Sequence, residues 1–246
     1  MGGIFNLDSP LMQALGKVAD LMILNIIAMI CCIPIFTTGA SLTALHYMSL
    51  KIVRGEECYI VKGFFKSFKQ NFKQATAIWL LILLATLILV GDVYIILNSG
   101  LEFHIVLKVI IGIVGVVIVF AAIYVFPVLA KFDNTVKNTI KNAFIMSLLQ
   151  FPKTILMIIM WLVPIALALL IPQAFPVAFL FCLSAPAFVS ALLYNKFFKK
   201  LEDQVEAANA PEDAEMIEEG QEGEEDERIF KDELDEALIA NEMNKQ

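Results

Sequence analysis

Residues 75–97 read ATAIWLLILLATLILVGDVYIIL, and these 23 residues decide the fold. A single charge, Asp92, interrupts an apolar run long enough, as a helix, to cross a hydrocarbon core, which takes roughly 20 residues. Four more runs of this kind lie at 18–36, 105–130, 154–171 and 175–195. A sixth candidate, 37–53, is only about 25 Å long as a helix. It carries Thr37, Thr38, Ser41, Thr43, His46 and Ser49, so hydropathy alone would omit it. Across the whole chain, 59% of residues are hydrophobic and mean hydropathy is +0.76. Soluble domains hold about 45–50% apolar residues, so a soluble fold has no place for this surface. The expectation is an all-α, polytopic transmembrane helix bundle. It has six membrane helices, the second short and weakly hydrophobic, or five if that segment does not cross.

Charge divides the chain in two. Residues 1–201 hold 15 Lys and Arg against 7 Asp and Glu, whereas residues 202–246 hold 3 against 18. The net charge of -7 therefore describes neither part. The chain reads as a basic transmembrane domain (1–200) followed by an acidic tail (201–246). Acidic and poor in apolar residues, the tail is expected to be mostly disordered. Phe230, Leu234, Ala237 and Leu238 give it a short helical pattern at 229–240.

The basic residues also set the orientation. Lys and Arg collect in 51–73, in 131–153 and after the last span at Lys196, Lys199 and Lys200. The loops 98–104 and 172–174 have none. Positive loops stay cytoplasmic, so with six spans both termini face the cytoplasm. The stretch 34–39, Pro34 to Gly39 with Thr37 and Thr38, reads as a helix end, a turn and a capped restart.

Two stretches repeat at an offset of 68: FKQNFKQA at 68–75 and VKNTIKNA at 136–143. Each leads into a membrane hairpin, so the chain looks like parallel hairpin repeats entered from the cytoplasm. The first copy is amphipathic. On a helical wheel Phe64, Phe65, Phe68 and Phe72 fall within about 100° of arc. Lys62, Lys66, Lys69 and Lys73 fill a separate arc about 60° wide. This is expected to be an interfacial helix facing lipid or a partner, its ammonium groups toward anionic lipid at the cytoplasmic face.

Charge inside a membrane is costly and marks candidate sites. Asp92 and Lys108 sit near the outer ends of adjacent spans and are a candidate intramembrane pair. Asp20 and Asn25 lie in the inner half of the first span; Lys17 can pair with Asp20, and Asn25 reads as a hydrogen-bonding link between helices. His46 and His104 have no ligand-spaced neighbours, so no metal or other cofactor is expected. Cys31, Cys32, Cys58 and Cys182 read as free thiols packed like small apolar groups. No Walker A, GxGxxG, HExxH or GxSxG motif is present, so neither an enzyme nor a nucleic-acid binder is expected.

Certain motifs suggest a family. MGGIFN (1–6), PIFTTGA (34–40), ALHY (44–47) and Phe64 followed by FKQNFKQAT (68–76) resemble the YesL-like family. These are small integral membrane proteins of Gram-positive bacteria, classed as a domain of unknown function. The likeness covers about residues 1–200 and is most specific in the first 80; the acidic tail departs from it. The family's genes tend to sit with those for oligosaccharide uptake and polysaccharide breakdown. The resemblance therefore implies a role near carbohydrate uptake or utilisation, and it brings no catalytic residues. Two functions follow as expectations. One is an accessory or regulatory partner of a membrane transport complex or cytoplasmic protein. The other is a small-solute or ion transporter or channel.

Overall fold

The computed structural model describes residues 10–56, 59–99, 103–132 and 134–209. Every regular element among them is helical: α1 (Pro10–Cys32), α2 (Thr38–Arg54), α3 (Ile60–Asn98), α4 (Ile105–Lys131), α5 (Val136–Leu149), α6 (Phe151–Leu170), α7 (Phe175–Phe181) and α8 (Ser184–Asn209). Helices α1, α3, α4 and α6 are each long and apolar enough to cross a membrane. The bent pair Pro172–Phe181 and Ser184–Gln204 makes a fifth crossing if counted as one, with 58° between its halves. The helix at 229–240 lies outside the described residues. Of the tail, residues 202–209 continue α8 as helix, so the boundary expected at 201 is not a helix end.

The 17-residue α2 is the centre of the bundle and packs against α1, α3, α4 and α8. Ser41, Thr43, His46 and Ser49, the residues that lower its hydropathy, are all buried. Hydropathy scores a helix as though lipid surrounded it, but protein surrounds this one. Two of its hydroxyls are paired: Ser41 donates to the Ala28 carbonyl of α1 at 2.9 Å and Thr43 to the Gly39 carbonyl of its own helix at 2.9 Å. Such bonds make a polar helix tolerable inside a membrane bundle.

Antiparallel packing of α2 on α3 depends on two glycines. A Cβ on Gly39 would stand 2.6 Å from the Trp79 Cβ, and one on Gly63 would stand 2.7 Å from the Met48 sulfur. Gly39 thus faces the middle of α3 and Gly63 faces the later part of α2. The two helices run side by side from 60 to about 79 of α3, where the amino-terminal end of α2 lies. At 39 residues, α3 is about 58 Å long, roughly twice a hydrocarbon core. Beyond Ile78 no side chain of α3 is fully buried, nor is any on α4 before Tyr124. That outer half of α3 and the first half of α4 form an apolar hairpin standing out from the bundle.

The interfacial helix is therefore not a separate element. Residues 60–73 run straight into the membrane span as one helix. Its aromatic ridge also faces a different way from the expected one. Phe64 is fully buried beside Leu24, Leu45 and Met48, and Phe68 and Phe72 pack on the core. The rings step along the helix, Phe64 to Phe68 at 6.2 Å and Phe68 to Phe72 at 5.5 Å. Only Phe65 stays outside, with Lys62, Lys66, Lys69 and Lys73. The wheel separated the two faces correctly, but protein, in the form of α2, covers the apolar one.

The second repeat copy makes a separate helix, α5, that ends at Gln150 before α6. The copies nevertheless bury matching positions: Asn71 and Thr139, then Ala75 and Ala143, point inward, and Lys69, Lys73, Lys137 and Lys141 point outward. They also touch, since the Gln74 amide donates to the Asn134 carbonyl and reaches the Thr139 hydroxyl.

Candidate functional site at the converging helix ends

The carboxyl-terminal ends of α2 and α4 meet the outgoing part of α8. Arg54 donates through Nη1 to Glu202 Oε2 at 3.0 Å and through Nη2 to Oε1 at 2.7 Å. Its Nε donates to Asn195 Oδ1 at 3.0 Å. Lys131 Nζ lies 3.8 Å from the same carboxylate. The three charged side chains are only 10–15% exposed. A planar guanidinium matches a carboxylate fork, and low solvent access strengthens each bond. Two cations against one anion leave the cluster net positive.

This cluster draws Arg54 and Lys131 from two of the basic segments, Asn195 from just before the third, and Glu202 from the start of the acidic tail. It brings the carboxyl-terminal ends of α2 and α4 and the outgoing part of α8 together at one end of the bundle. Position also suits Arg54 locally. It lies in the last turn of α2, where a cation complements the helix dipole, and Gly55 closes the helix at φ 72. That Arg54 and Lys131 would share a partner, Glu202, was not evident from spacing.

A second polar centre forms where α1 meets the break between α7 and α8. Asn25 is fully buried. Its Oδ1 accepts from the backbone N–H of Leu183 at 2.9 Å and of Ser184 at 3.1 Å, and its Nδ2 donates to the Phe179 carbonyl at 3.0 Å. One amide thus serves both sides of an interrupted helix, where free backbone groups would otherwise be costly in lipid. Asn25 does link helices, as expected. The target was hidden because 175–195 reads as one run; Ser184-Ala185-Pro186, with Pro in the first turn of α8, was the available signal.

His46 is buried near the middle of α2, its Nδ1 3.4 Å from the Tyr194 hydroxyl on α8 and its ring 6.0 Å from Trp161 on α6. Sequence spacing did not reveal Tyr194 as its neighbour. The hydroxyls of Ser49, Tyr124 and Ser190 are also buried in the bundle, with no hydrogen bond to protein. His104 instead caps α4, its Nδ1 accepting from the Val106 N–H. Among the described residues no three His, Cys, Asp or Glu side chains gather as a metal site. Cys31, Cys32 and Cys182 are free thiols, partly rather than fully buried; Cys58 lies outside the described residues.

Asp92 and Lys108 do not form the expected pair; both are exposed and no ion pair joins them. The reason is register. Gly115 faces Leu89 across the hairpin, so in an antiparallel pair Lys108 stands level with residue 96, about 6 Å beyond Asp92. Lys17 does not close on Asp20 either; a Lys three residues before an acid is the weaker order for a helical pair. Asp20 lies instead at an open groove with Ile23, Tyr59, Ile60, Val61, Lys62 and Phe65.

The Pro34–Gly39 turn is present, with its cap reversed. Ile35–Thr37 makes one 3-10 turn. The Thr37 hydroxyl donates back to the Cys31 and Pro34 carbonyls, at 2.6 and 2.7 Å, and makes no bond to an N–H of α2. It closes α1, which ends at Cys32 rather than at 36. Trp79 fixes the turn from α3 by donating to the Ile35 carbonyl at 2.7 Å.

These features define a polytopic helical membrane protein organised around a buried polar helix. Residues 21–93 match the family described as Protein of unknown function, DUF624. That stretch contains α2, its glycine contacts, Asn25, Arg54 and the Phe/Lys half of α3. No curated protein and no solved structure matches the chain.

Proposed function

We propose that the chain is an accessory membrane protein whose basic bundle and acidic tail serve another complex. The observation that carries this is the anchoring of Glu202. Helix α8 leaves the bundle in one piece, pinned at Glu202 by Arg54 and Lys131, so the acidic segment departs from a fixed point. A segment so rich in carboxylates suits a basic surface on a cytoplasmic partner. With the basic segments cytoplasmic and α2 counted as a sixth crossing, both termini are cytoplasmic too. The resemblance to the YesL-like family adds the second element: the partner belongs to carbohydrate uptake or utilisation. No catalytic role is proposed.

The test compares the full chain with one lacking 210–246, which keeps the Glu202 pair. After crosslinking in cells, a specific protein is expected to copurify with the full chain and to be lost with the tail. Recovery of the lone chain in both cases sinks the reading.

One observation favours a second reading, a small-solute or ion transporter. The interrupted helix at 182–183 and the buried hydroxyls of Ser49, Tyr124 and Ser190 put polar backbone and side chains inside the bundle, and interrupted helices form binding sites in many transporters. Flux into proteoliposomes that is lost in Asn25→Leu would support it; no flux of sugars or ions would remove it.

A further inference from the structure

We propose that the groove between α1 and the start of α3 binds one phospholipid with a zwitterionic, primary-ammonium headgroup, the ammonium on Asp20 and the phosphate on Lys62. The groove is lined by Asp20 and Ile23 from α1 and by Tyr59, Ile60, Val61, Lys62 and Phe65 at the start of α3. Its apolar members offer a wall for acyl chains: Ile23, Val61 and Phe65 are exposed along it. Tyr59 and Lys62, at the start of α3, mark where the headgroup would sit. Asp20 is the tenth residue of the 22-residue span Leu11–Cys32, and Lys62 lies seven residues past Gly55, on the side where the basic helix ends meet.

Charge selects the ligand. Asp20 and Lys62 have opposite signs, both face the groove, and no ion pair joins them or joins Asp20 to Lys17. A headgroup bearing a cation and a phosphate can satisfy both in one pose. A purely anionic headgroup satisfies Lys62 but faces the Asp20 carboxylate. A quaternary ammonium carries charge but no N–H for that carboxylate, whereas a primary ammonium makes a charge-assisted hydrogen bond. Tyr59, at 85% exposure, is the most exposed aromatic side chain of the groove. Its ring can sit at headgroup level, as interfacial tyrosines do.

The test uses the purified full-length protein, stripped of lipid in detergent. It is titrated separately with phosphatidylethanolamine, phosphatidylcholine and phosphatidylglycerol and read by native mass spectrometry. Expected is one tightly held phosphatidylethanolamine, preferred about tenfold over either other lipid. Asp20→Asn is expected to erase that preference and leave phosphatidylglycerol binding unchanged or improved. Lys62→Gln is expected to weaken all three. Equal retention of the three lipids, a preference for phosphatidylglycerol, or an unchanged preference in Asp20→Asn overturns the proposal. Both substitutions are close in shape at partly exposed positions, and an unshifted melting temperature confirms that folding is intact.

Discussion

Arg54 and Glu202 are 148 residues apart in the chain and meet fork to fork, at 2.7 and 3.0 Å, in a site only 10–13% exposed. Removing one partner leaves the other charged and half-stranded in protein. Arg54→Ala is expected to destabilise the bundle by about 3 kcal/mol, the lower end for a broken buried pair, because some water reaches the site. Glu202→Gln keeps the shape and one acceptor and is expected to cost less. Thermal unfolding in detergent measures both. Unchanged melting in both variants would show that the pair contributes nothing.

Gly39 tests the packing of α2 on α3. A methyl group there would press on the Trp79 Cβ, part of a helix that cannot step aside cheaply. Gly39→Ala is expected to cost about 1–3 kcal/mol from overpacking. Gly63→Ala meets only the flexible end of Met48 and should cost less. Gly16→Ala, in open space on α1, should gain up to about 1 kcal/mol. A reversed order among the three would disprove the contact.

Asn25→Ala removes the acceptor of two backbone N–H groups and the donor to one carbonyl. The expected loss is about 1–3 kcal/mol. Cys182, beside the break, offers a second readout. Its alkylation by a membrane-permeant reagent, with Cys31, Cys32 and Cys58 replaced by Ala, should speed up severalfold in Asn25→Ala. An unaltered rate would mean that the break holds without Asn25.

Asp92 and Lys108 lie about one helical turn out of register. A double-mutant cycle of Asp92→Asn and Lys108→Gln should give a coupling within about 0.3–0.5 kcal/mol of zero. A coupling above 1 kcal/mol would mean that the side chains reach each other after all.

Arg54, Lys131 and Glu202 come together, so residues near them must be accessible from one side. Single cysteines at Lys51, Lys137 and Lys199 should react alike with an impermeant reagent added to inside-out vesicles. A cysteine at Asn98 should react only in intact cells. Any split among the first three overturns the shared side.

Apolar runs carry most of the fold legibly, because lipid imposes one simple rule on the helices it touches. What escaped was settled between helices. Thr37 could cap forward or backward, and only the position of Cys31 and Pro34 decides. The Phe64, Phe68 and Phe72 ridge was visible, but its cover was not, since lipid and α2 are both apolar to a wheel. Asn25 was legible as a linker because a buried amide needs partners, while its partners depended on a break 158 residues away. Asp92 and Lys108 misled because loop length fixes adjacency but not register.

Helix α3 is held along its first half by α2 and along its second by the hairpin partner α4, with Gly39 and Trp79 at the change. From Trp79 to Asn98 it runs about 30 Å at 1.5 Å per residue. A rotation of about 10° at that seat therefore swings the far end sideways by about 5 Å. The hairpin is thus a lever seated at Gly39 and Trp79, and any rotation there would be magnified at its opposite end.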